Sequence, residues 1–404
     1  MESTSRKRIL FLMSRFLDGG IDTVLVEYLR YLARRDDYEL TLAIGISMGP
    51  LEVFANRLPH HVRVEWLVKA RWLTRWRQEK VRRHLPLPVK IYDEAVLSPI
   101  RRVLISRGLH RLTAIHDVVI DFDCCFYSFL SKINTPLRKI AWFHFSFEQA
   151  MQQNRRRMLR IGRQLVCYDK VVTISEAMRE EGLRLFPQLA DKLCVIYNAK
   201  DREQLLQRAA EGANDSGNQF IPSPFSLLPS GYILAVERLE ESQKDLTTLL
   251  HAFQQLFTRY QHNEKLVIIG KGHSEEQLKQ LALQLGIADN VLFLGFQSNP
   301  YGWMQHCRLL VHSAKFEGLP TVLIEALMLN CLIVATDCPT GPREILDDGK
   351  AGLLTPVGDA TALADAMHRL LTEPDLQKRI REGMARRYRY FTFEETGKLF
   401  DALL

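Results

Sequence analysis

The sequence predicts an α/β protein made of two doubly wound parallel sheets. Short apolar runs alternate with amphipathic helical stretches along both halves, the pattern of parallel strands joined by crossover helices. The 404 residues are long for one core and comfortable for two domains of about 200 residues each. Between the halves, Glu211–Ser230 contains Asn-Asp-Ser-Gly-Asn and Pro222, Pro224 and Pro229, which reads as a linker.

In order, the first half shows strands at Ile9–Met13, Leu40–Ile44, Val62–Leu67, Val118–Phe122, Ile140–Phe143, Lys170–Ile174 and Leu193–Ile196. The second shows them at Tyr232–Val236, Lys265–Ile269, Val291–Leu294, Leu309–His312, Leu332–Ala335 and Ala351–Leu354. The expected domains are residues 1–210 and 231–383, with 211–230 as linker. A terminal helix, 384–404, would return to the first domain. Ligands of such open sheets bind beyond the carboxyl ends of the strands, so two facing domains would form a cleft.

Composition narrows the class. With 47% hydrophobic and 25% charged residues the chain is an ordinary soluble globular protein. The opening Arg6-Lys-Arg-Ile-Leu-Phe-Leu-Met mimics a signal peptide, but Arg15 and Asp18 cut the apolar run short, so it reads as the first strand. No window approaches the ~18 apolar residues of a membrane span. Seven cysteines, without a Cys-x-x-Cys pair, argue against a disulfide framework or zinc site and for a reducing cytoplasm. Residues 1–200 hold 34 Lys+Arg against 21 Asp+Glu, whereas residues 201–404 hold 20 against 26. An excess confined to one half suggests an anionic partner there, either a membrane surface or a phosphate-bearing acceptor. No nucleic-acid-binding motif is present.

The most informative segment is Lys315-Phe-Glu-Gly-Leu-Pro-Thr-Val-Leu-Ile-Glu. Leu309–Val311 reads as a buried strand, Ser313–Glu317 as a polar turn, and Pro320 suits the first turn of the following helix. A helix N-terminus at the carboxyl end of a strand offers free N–H groups and suits a phosphate. Two carboxylates beside an anion would repel it, so Glu317 and Glu325 are better placed to hold hydroxyls. A nucleotide sugar carries both groups. A solvated helix face with two ordinary glutamates is the plain alternative.

This segment resembles the E-x7-E signature of retaining glycosyltransferases with the GT-B fold, family 4, of the bacterial lipopolysaccharide and capsule type. The resemblance implies that Glu317 holds donor-sugar hydroxyls and Glu325 the ribose hydroxyls, with Gly318, Leu319, Pro320 and Thr321 around the donor. Ala235-Val-Glu-Arg-Leu-Glu-Glu-Ser-Gln-Lys matches the family's G-R-L and following lysine at Arg238 and Lys244, which would gather the diphosphate. Glu237 stands where the family has glycine. Such cations are needed because the leaving nucleoside diphosphate develops negative charge.

The family's Gly-Gly turn after the first strand is matched by Gly19 and Gly20, near donor phosphates or acceptor. The resemblance also puts His144, after Ile140-Ala-Trp-Phe, near the donor sugar. Further matches in the first half are Val172-Thr-Ile-Ser-Glu and Val195-Ile-Tyr-Asn-Ala. Gly270-Lys-Gly-His lacks the third glycine of a dinucleotide fingerprint, since Glu275 occupies its place. By the resemblance Gly270 and Gly272 line the nucleotide cleft and Phe296 lies against the base.

Asp121-Phe-Asp mimics a D-x-D metal clamp. Arg238, Lys244 and the helix N-terminus would neutralise the diphosphate instead, so no metal and no further cofactor is expected. The stretches 69–83 and 155–163 interleave Arg with Trp or apolar residues, and 69–83 resembles an interfacial helix, with a solvated basic helix carrying a core-facing Trp stripe as the plain alternative. The resemblance implies a retaining, metal-independent glycosyltransferase moving a sugar from a nucleotide-diphosphate sugar to a saccharide acceptor, free or lipid-linked, in surface-glycan synthesis. It would be cytoplasmic or peripheral on the inner membrane face. A nucleotide-sugar epimerase of the same fold and a non-catalytic GT-B binding subunit remain alternatives.

Overall fold

The computed structural model describes residues 6–17, 19–214 and 231–404. Its described residues form two compact units, one up to Ala199 with Lys398–Leu404, the other Lys200–Gly397.

The first unit holds seven parallel strands: β1 (Lys7–Met13), β2 (Tyr38–Ile46), β3 (Arg63–Val68), β4 (Val118–Asp121), β5 (Arg138–Phe143), β6 (Lys170–Thr173) and β7 (Leu193–Val195). Their order is β3-β2-β1-β4-β5-β6-β7. Central strands such as Ile9–Met13 and Val118–Asp121 are buried along their whole length, because crossover helices cover both faces of a parallel sheet. Phe11, Tyr28, Trp142 and Phe400 meet in this core, with Tyr28 and Trp142 ring centroids 5.1 Å apart.

The second unit holds six parallel strands: β8 (Tyr232–Val236), β9 (Lys265–Ile269), β10 (Val291–Gly295), β11 (Leu309–His312), β12 (Ile333–Thr336) and β13 (Leu353–Thr355). Their order is β10-β9-β8-β11-β12-β13. The chain winds outward from β8 to β10, then returns to lay β11 on the other side of β8. The switch point, where doubly wound sheets take ligands, is therefore the carboxyl end of β8 and β11. In the first sheet it is the end of β1 and β4.

Three boundaries differ from the sequence pattern. Helix Arg202–Asn214 belongs to the second unit rather than to residues 1–210. Its residues are tied there: Arg202 Nε donates to Met328 O at 3.1 Å, Arg208 Nη2 donates to Ser298 O at 2.9 Å, and Arg208 stacks over Tyr301. Glu211–Asn214, expected in the linker, close that helix, and 215–230 lie outside the described residues. The terminal stretch 384–404 is not one helix. It comprises the end of Pro374–Arg387, a 3₁₀ turn at Tyr388–Phe391 and the helix Phe393–Leu403, broken where Thr392 turns extended. Phe400 joins the first core, and Asp401 pairs with Arg35 at 2.7 Å.

The crossover from β3 to β4 occupies residues 69–117, well beyond the dozen or so a crossover needs. It folds as helices Arg71–Arg82 and Leu87–Tyr92, a π turn at Asp93–Leu97 and the helix Ser98–Thr113. Among the described residues no helix is long and apolar enough to cross a membrane.

Candidate active site

In the second unit, the switch point gathers four ionisable side chains. β8 delivers Glu237 and β11 ends on His312. Lys244 is brought in by the loop after β8, where its N–H donates to Glu240 O at 2.8 Å and it bridges Ala314. Glu317 lies in the loop before helix Thr321–Met328. Lys244 Nζ pairs with Glu317 Oε1 and stands 3.9 Å from Glu237 Oε2. His312 lies between the two carboxylates, Nδ1 3.4 Å from Glu237 Oε1 and Nε2 3.4 Å from Glu317 Oε1. Glu237 Oε1 also accepts the Ser313 N–H at 3.0 Å.

Burial makes this arrangement strongly electrostatic. Removing charges from water is costly unless they are paired, and here two carboxylates face one ammonium and one imidazole. Burial alone would raise the Glu317 carboxyl, but Lys244 and His312 hold it down at about 2. Burial would lower Lys244, yet the attraction of Glu317 and Glu237 leaves it above its ordinary value. Burial and Lys244 push His312 down, while Glu237 and Glu317 outweigh them, leaving it above 6.5. Lys244 and Glu317 are thus both ionised at neutral pH, and the two carboxylates favour the protonated form of the His312 imidazole between them.

Glu317 is fixed from behind as well: Thr340 Oγ1 donates to its carbonyl. The next residues, Gly318, Leu319 and Pro320, run against Gly341, where a Cβ would come within 2.8 Å of Gly318 O and 2.6 Å of Pro320 Cδ. Pro320 is the N-cap of helix Thr321–Met328, one place before the expected first turn. Thr321 is half-buried. Glu325, on the second turn, takes a salt bridge from Lys200 at 2.8 Å and a weak bond from Tyr301 OH at 3.4 Å.

The other expected donor residues are arranged differently. Arg238 is exposed and donates to Gln243 at 2.9 Å, outside the buried cluster. Gly270 and Gly272 have a packing role: a Cβ on them would lie 1.7 Å from Glu237 O and 2.1 Å from Leu239 O. They let the loop carrying Glu237 pass close over the end of β9. Phe296 is 45% exposed, with Lys271 Nζ 5.8 Å from its ring centre.

In the first unit, Gly19 caps helix Gly20–Ala33 with φ −85°, so a glycine-only backbone is not used there. Its N–H donates to Asp22 Oδ2 at 2.9 Å, and nothing lies within 4 Å of a Cβ built on Gly20. Asp22, on the first turn, acts as the capping carboxylate of this helix. His144 is buried against Phe122, ring centres 4.8 Å apart. Burial drops it to about 3, so it is a neutral imidazole, and its Nε2 has no hydrogen-bond partner among the described residues. The oxygens of Asp121 are occupied by the N–H groups of Cys125 and Phe126 and by Tyr168 OH at 2.6 Å. Asp123 accepts from the N–H and hydroxyl of Ser14. Burial, with Asp123 close by, raises Asp121 to about 7.

Glu237, His312 and Lys200 were not singled out as site residues by the sequence. Their signals are weak: a carboxylate in place of a glycine, a histidine closing an apolar strand, and a lysine after Val195-Ile-Tyr-Asn-Ala.

Comparison with known proteins gives the context. Residues 224–387 match the family described as glycosyl transferases group 1. The N-acetylgalactosamine-N,N'-diacetylbacillosaminyl-diphospho-undecaprenol 4-α-N-acetylgalactosaminyltransferase of Campylobacter jejuni is 31% identical over 210 residues, 52% of this chain and 53% of that protein. An uncharacterized glycosyltransferase of Methanocaldococcus jannaschii is 31% identical over 230 residues, 50% of this chain and 55% of that protein. The matches thus span about half the length of these relatives. The crystal structure of HepE from Anabaena with UDP and glucose superposes with a TM-score of 0.73 at 18% identity, covering 98% of this chain and 99% of that one. At that identity the likeness establishes the fold. Residues 224–387 thus resemble the glycosyl transferases group 1 family, and the two parallel-sheet units give the chain the GT-B fold.

Proposed function

We propose that the protein transfers a sugar, with retention, from a nucleotide-diphosphate sugar to a saccharide acceptor in surface-glycan synthesis. The observation that carries this is the buried Lys244–Glu317 pair at the β8/β11 switch point. Lys244 offers charge to the donor diphosphate, beside the N-terminus of helix Thr321–Met328. Glu317, ionised and fixed, accepts hydrogen bonds from donor hydroxyls. Glu325, oriented by Lys200, suits the ribose hydroxyls. Exposed Arg238 is free to swing onto the leaving phosphate, whose developing charge these cations meet without a metal. Among the described residues no protein carboxylate is set beside the cluster as an independent nucleophile, so the leaving phosphate takes the acceptor's proton on the same face of the sugar.

The acceptor falls to the first unit, and the C. jejuni relative's acceptor, a diphospho-undecaprenol-linked saccharide, supports a lipid-linked one. The basic excess of residues 1–200 supports peripheral attachment to an anionic membrane surface. The test is incubation with a panel of nucleotide sugars, with and without lipid-linked saccharides, with the product's anomeric configuration read by NMR. Acceptor-dependent release of nucleoside diphosphate and a retained anomer are expected. Conversion of the donor without acceptor would indicate an epimerase, and no turnover of any donor would leave a binding subunit.

A further inference from the structure

The oversized β3–β4 crossover carries a surface that the sugar-transfer site does not use. Leu87, Ile91, Tyr92, Val96, Ile100 and Val103 are each 37–69% exposed, although all are large and apolar. Scattered apolar residues on a surface need no explanation, but a contiguous row does. Leu87 to Ile91 is four residues, Val96 to Ile100 four and Ile100 to Val103 three, the spacings of one helix face. Ile91 to Val96 is five, which would break the row in a regular helix. The π turn at Asp93–Leu97 inserts the extra residue at that place, so the row stays aligned across the junction.

The same turn drives Asp93 inward. There it takes Arg101 at 2.7 Å and Arg77 at 2.9 Å, and Arg101 Nη1 donates to Leu73 O at 2.8 Å. This buried network fastens helix Arg71–Arg82 to the turn, so the exposed row sits on a rigid platform. Around it the charge is one-sided: residues 69–111 hold twelve Lys+Arg against three Asp+Glu. Exposed Lys90 and Arg107 flank the row, and helix Arg71–Arg82 adds Trp72, 60% exposed, between Arg71 and Arg75. A second copy of this chain would set two such basic segments against each other. An apolar row rimmed by Lys and Arg instead complements an anionic bilayer, apolar side chains in the acyl boundary and cations at the headgroups.

We infer that the face built by Leu87–Val103 is the membrane-docking surface, seating the protein on anionic lipid through the row Leu87, Ile91, Val96, Ile100 and Val103. The inference rests on the peripheral attachment proposed above and locates it. Co-sedimentation with phosphatidylcholine vesicles, plain or mixed with phosphatidylglycerol, tests both. The wild type binds mixed vesicles, more weakly at high salt, and leaves plain ones in solution. The combined Ile91→Glu, Val96→Glu, Val103→Glu variant binds mixed vesicles about tenfold or more weakly, at unchanged thermal stability because the side chains are exposed. Should that variant fold poorly, Ile91→Ser with Val103→Ser shows the same loss in smaller measure. The combined Arg155→Glu, Arg156→Glu, Arg157→Glu variant, on helix Arg155–Leu165, loses less. A wild type that binds neither vesicle overturns attachment and face together. Undiminished binding by the row variants overturns the face alone. Row variants that change the oligomeric mass but not vesicle binding assign the row to a second copy.

Discussion

Glu237 and His312 stand side by side at the ends of two neighbouring strands, carboxylate Oε1 3.4 Å from imidazole Nδ1, both closed off from solvent. The family pattern has glycine at the first of these positions. Glu237 there sets a carboxylate against the His312 imidazole. Glu237 sits beneath Lys244, whose ammonium is shared between it and Glu317.

Glu317→Ala and Lys244→Ala should each lower turnover by two or more orders of magnitude, about 3 kcal/mol, as for contacts made in the transition state. Each also leaves a buried charge without its partner, so unfolding must be measured alongside. Steady-state kinetics on folded variants is the check, and wild-type turnover in both would remove the pair from the mechanism.

Glu237→Gln keeps the shape and removes one charge. His312 then loses one of the two carboxylates that raise it, and Lys244 leans wholly on Glu317. Turnover should fall, by about tenfold or more, with a smaller change in KM, since a positioning change acts on the reacting geometry. An effect on KM alone would mean that Glu237 serves binding rather than alignment.

The cluster also makes stability depend on pH. A group whose pKa rises on folding, as His312's does, stabilises fully below its unfolded value near 6.5, and that contribution fades as pH climbs through the raised folded value. Glu317, lowered to about 2, contributes above its ordinary 4.5 and loses that contribution as pH falls toward 2. The stability gap between wild type and His312→Gln should therefore be widest below pH ~6.5 and narrow above it. Denaturant unfolding across pH is the measurement, and a gap that widens as pH rises would contradict the assignment.

Chelation supplies a further check. If Lys244, Arg238 and a helix N-terminus meet the diphosphate as proposed, EDTA should leave most activity. Loss on chelation with rescue by manganese would contradict a metal-free mechanism and direct attention to Asp121 and Asp123.

Much of the fold was legible because parallel strands buried on both faces read as unbroken apolar runs. The strands from Ile9 to Leu354 appear within a few residues of where those runs lie. Glu317 and Lys244 were legible as well, since a loop–proline–helix pattern and a strand-end cation are local signals, and the structure joins them. The partnership of Glu237 with His312 was not, because it is made across 75 residues by strand order, which no local pattern carries. Gly270 and Gly272 show the converse. Their spacing suggests ligand contact, while their geometry answers to the backbone of Glu237 and Leu239. The domain boundary moved for a similar reason, as the ties of Arg202 and Arg208 are distant in sequence.

The most direct test is the thermal shift produced by nucleoside diphosphates and nucleotide sugars on wild type and on Lys244→Ala, each against its own ligand-free state. A ligand at a hundred times its Kd stabilises by about 2.7 kcal/mol, well within reach of the measurement. At least one nucleoside diphosphate, and its sugar conjugate, should raise the wild-type Tm, and the shift should collapse in Lys244→Ala. No shift with any nucleotide, or an equal shift in both proteins, would contradict a donor site built on Lys244 and Glu317.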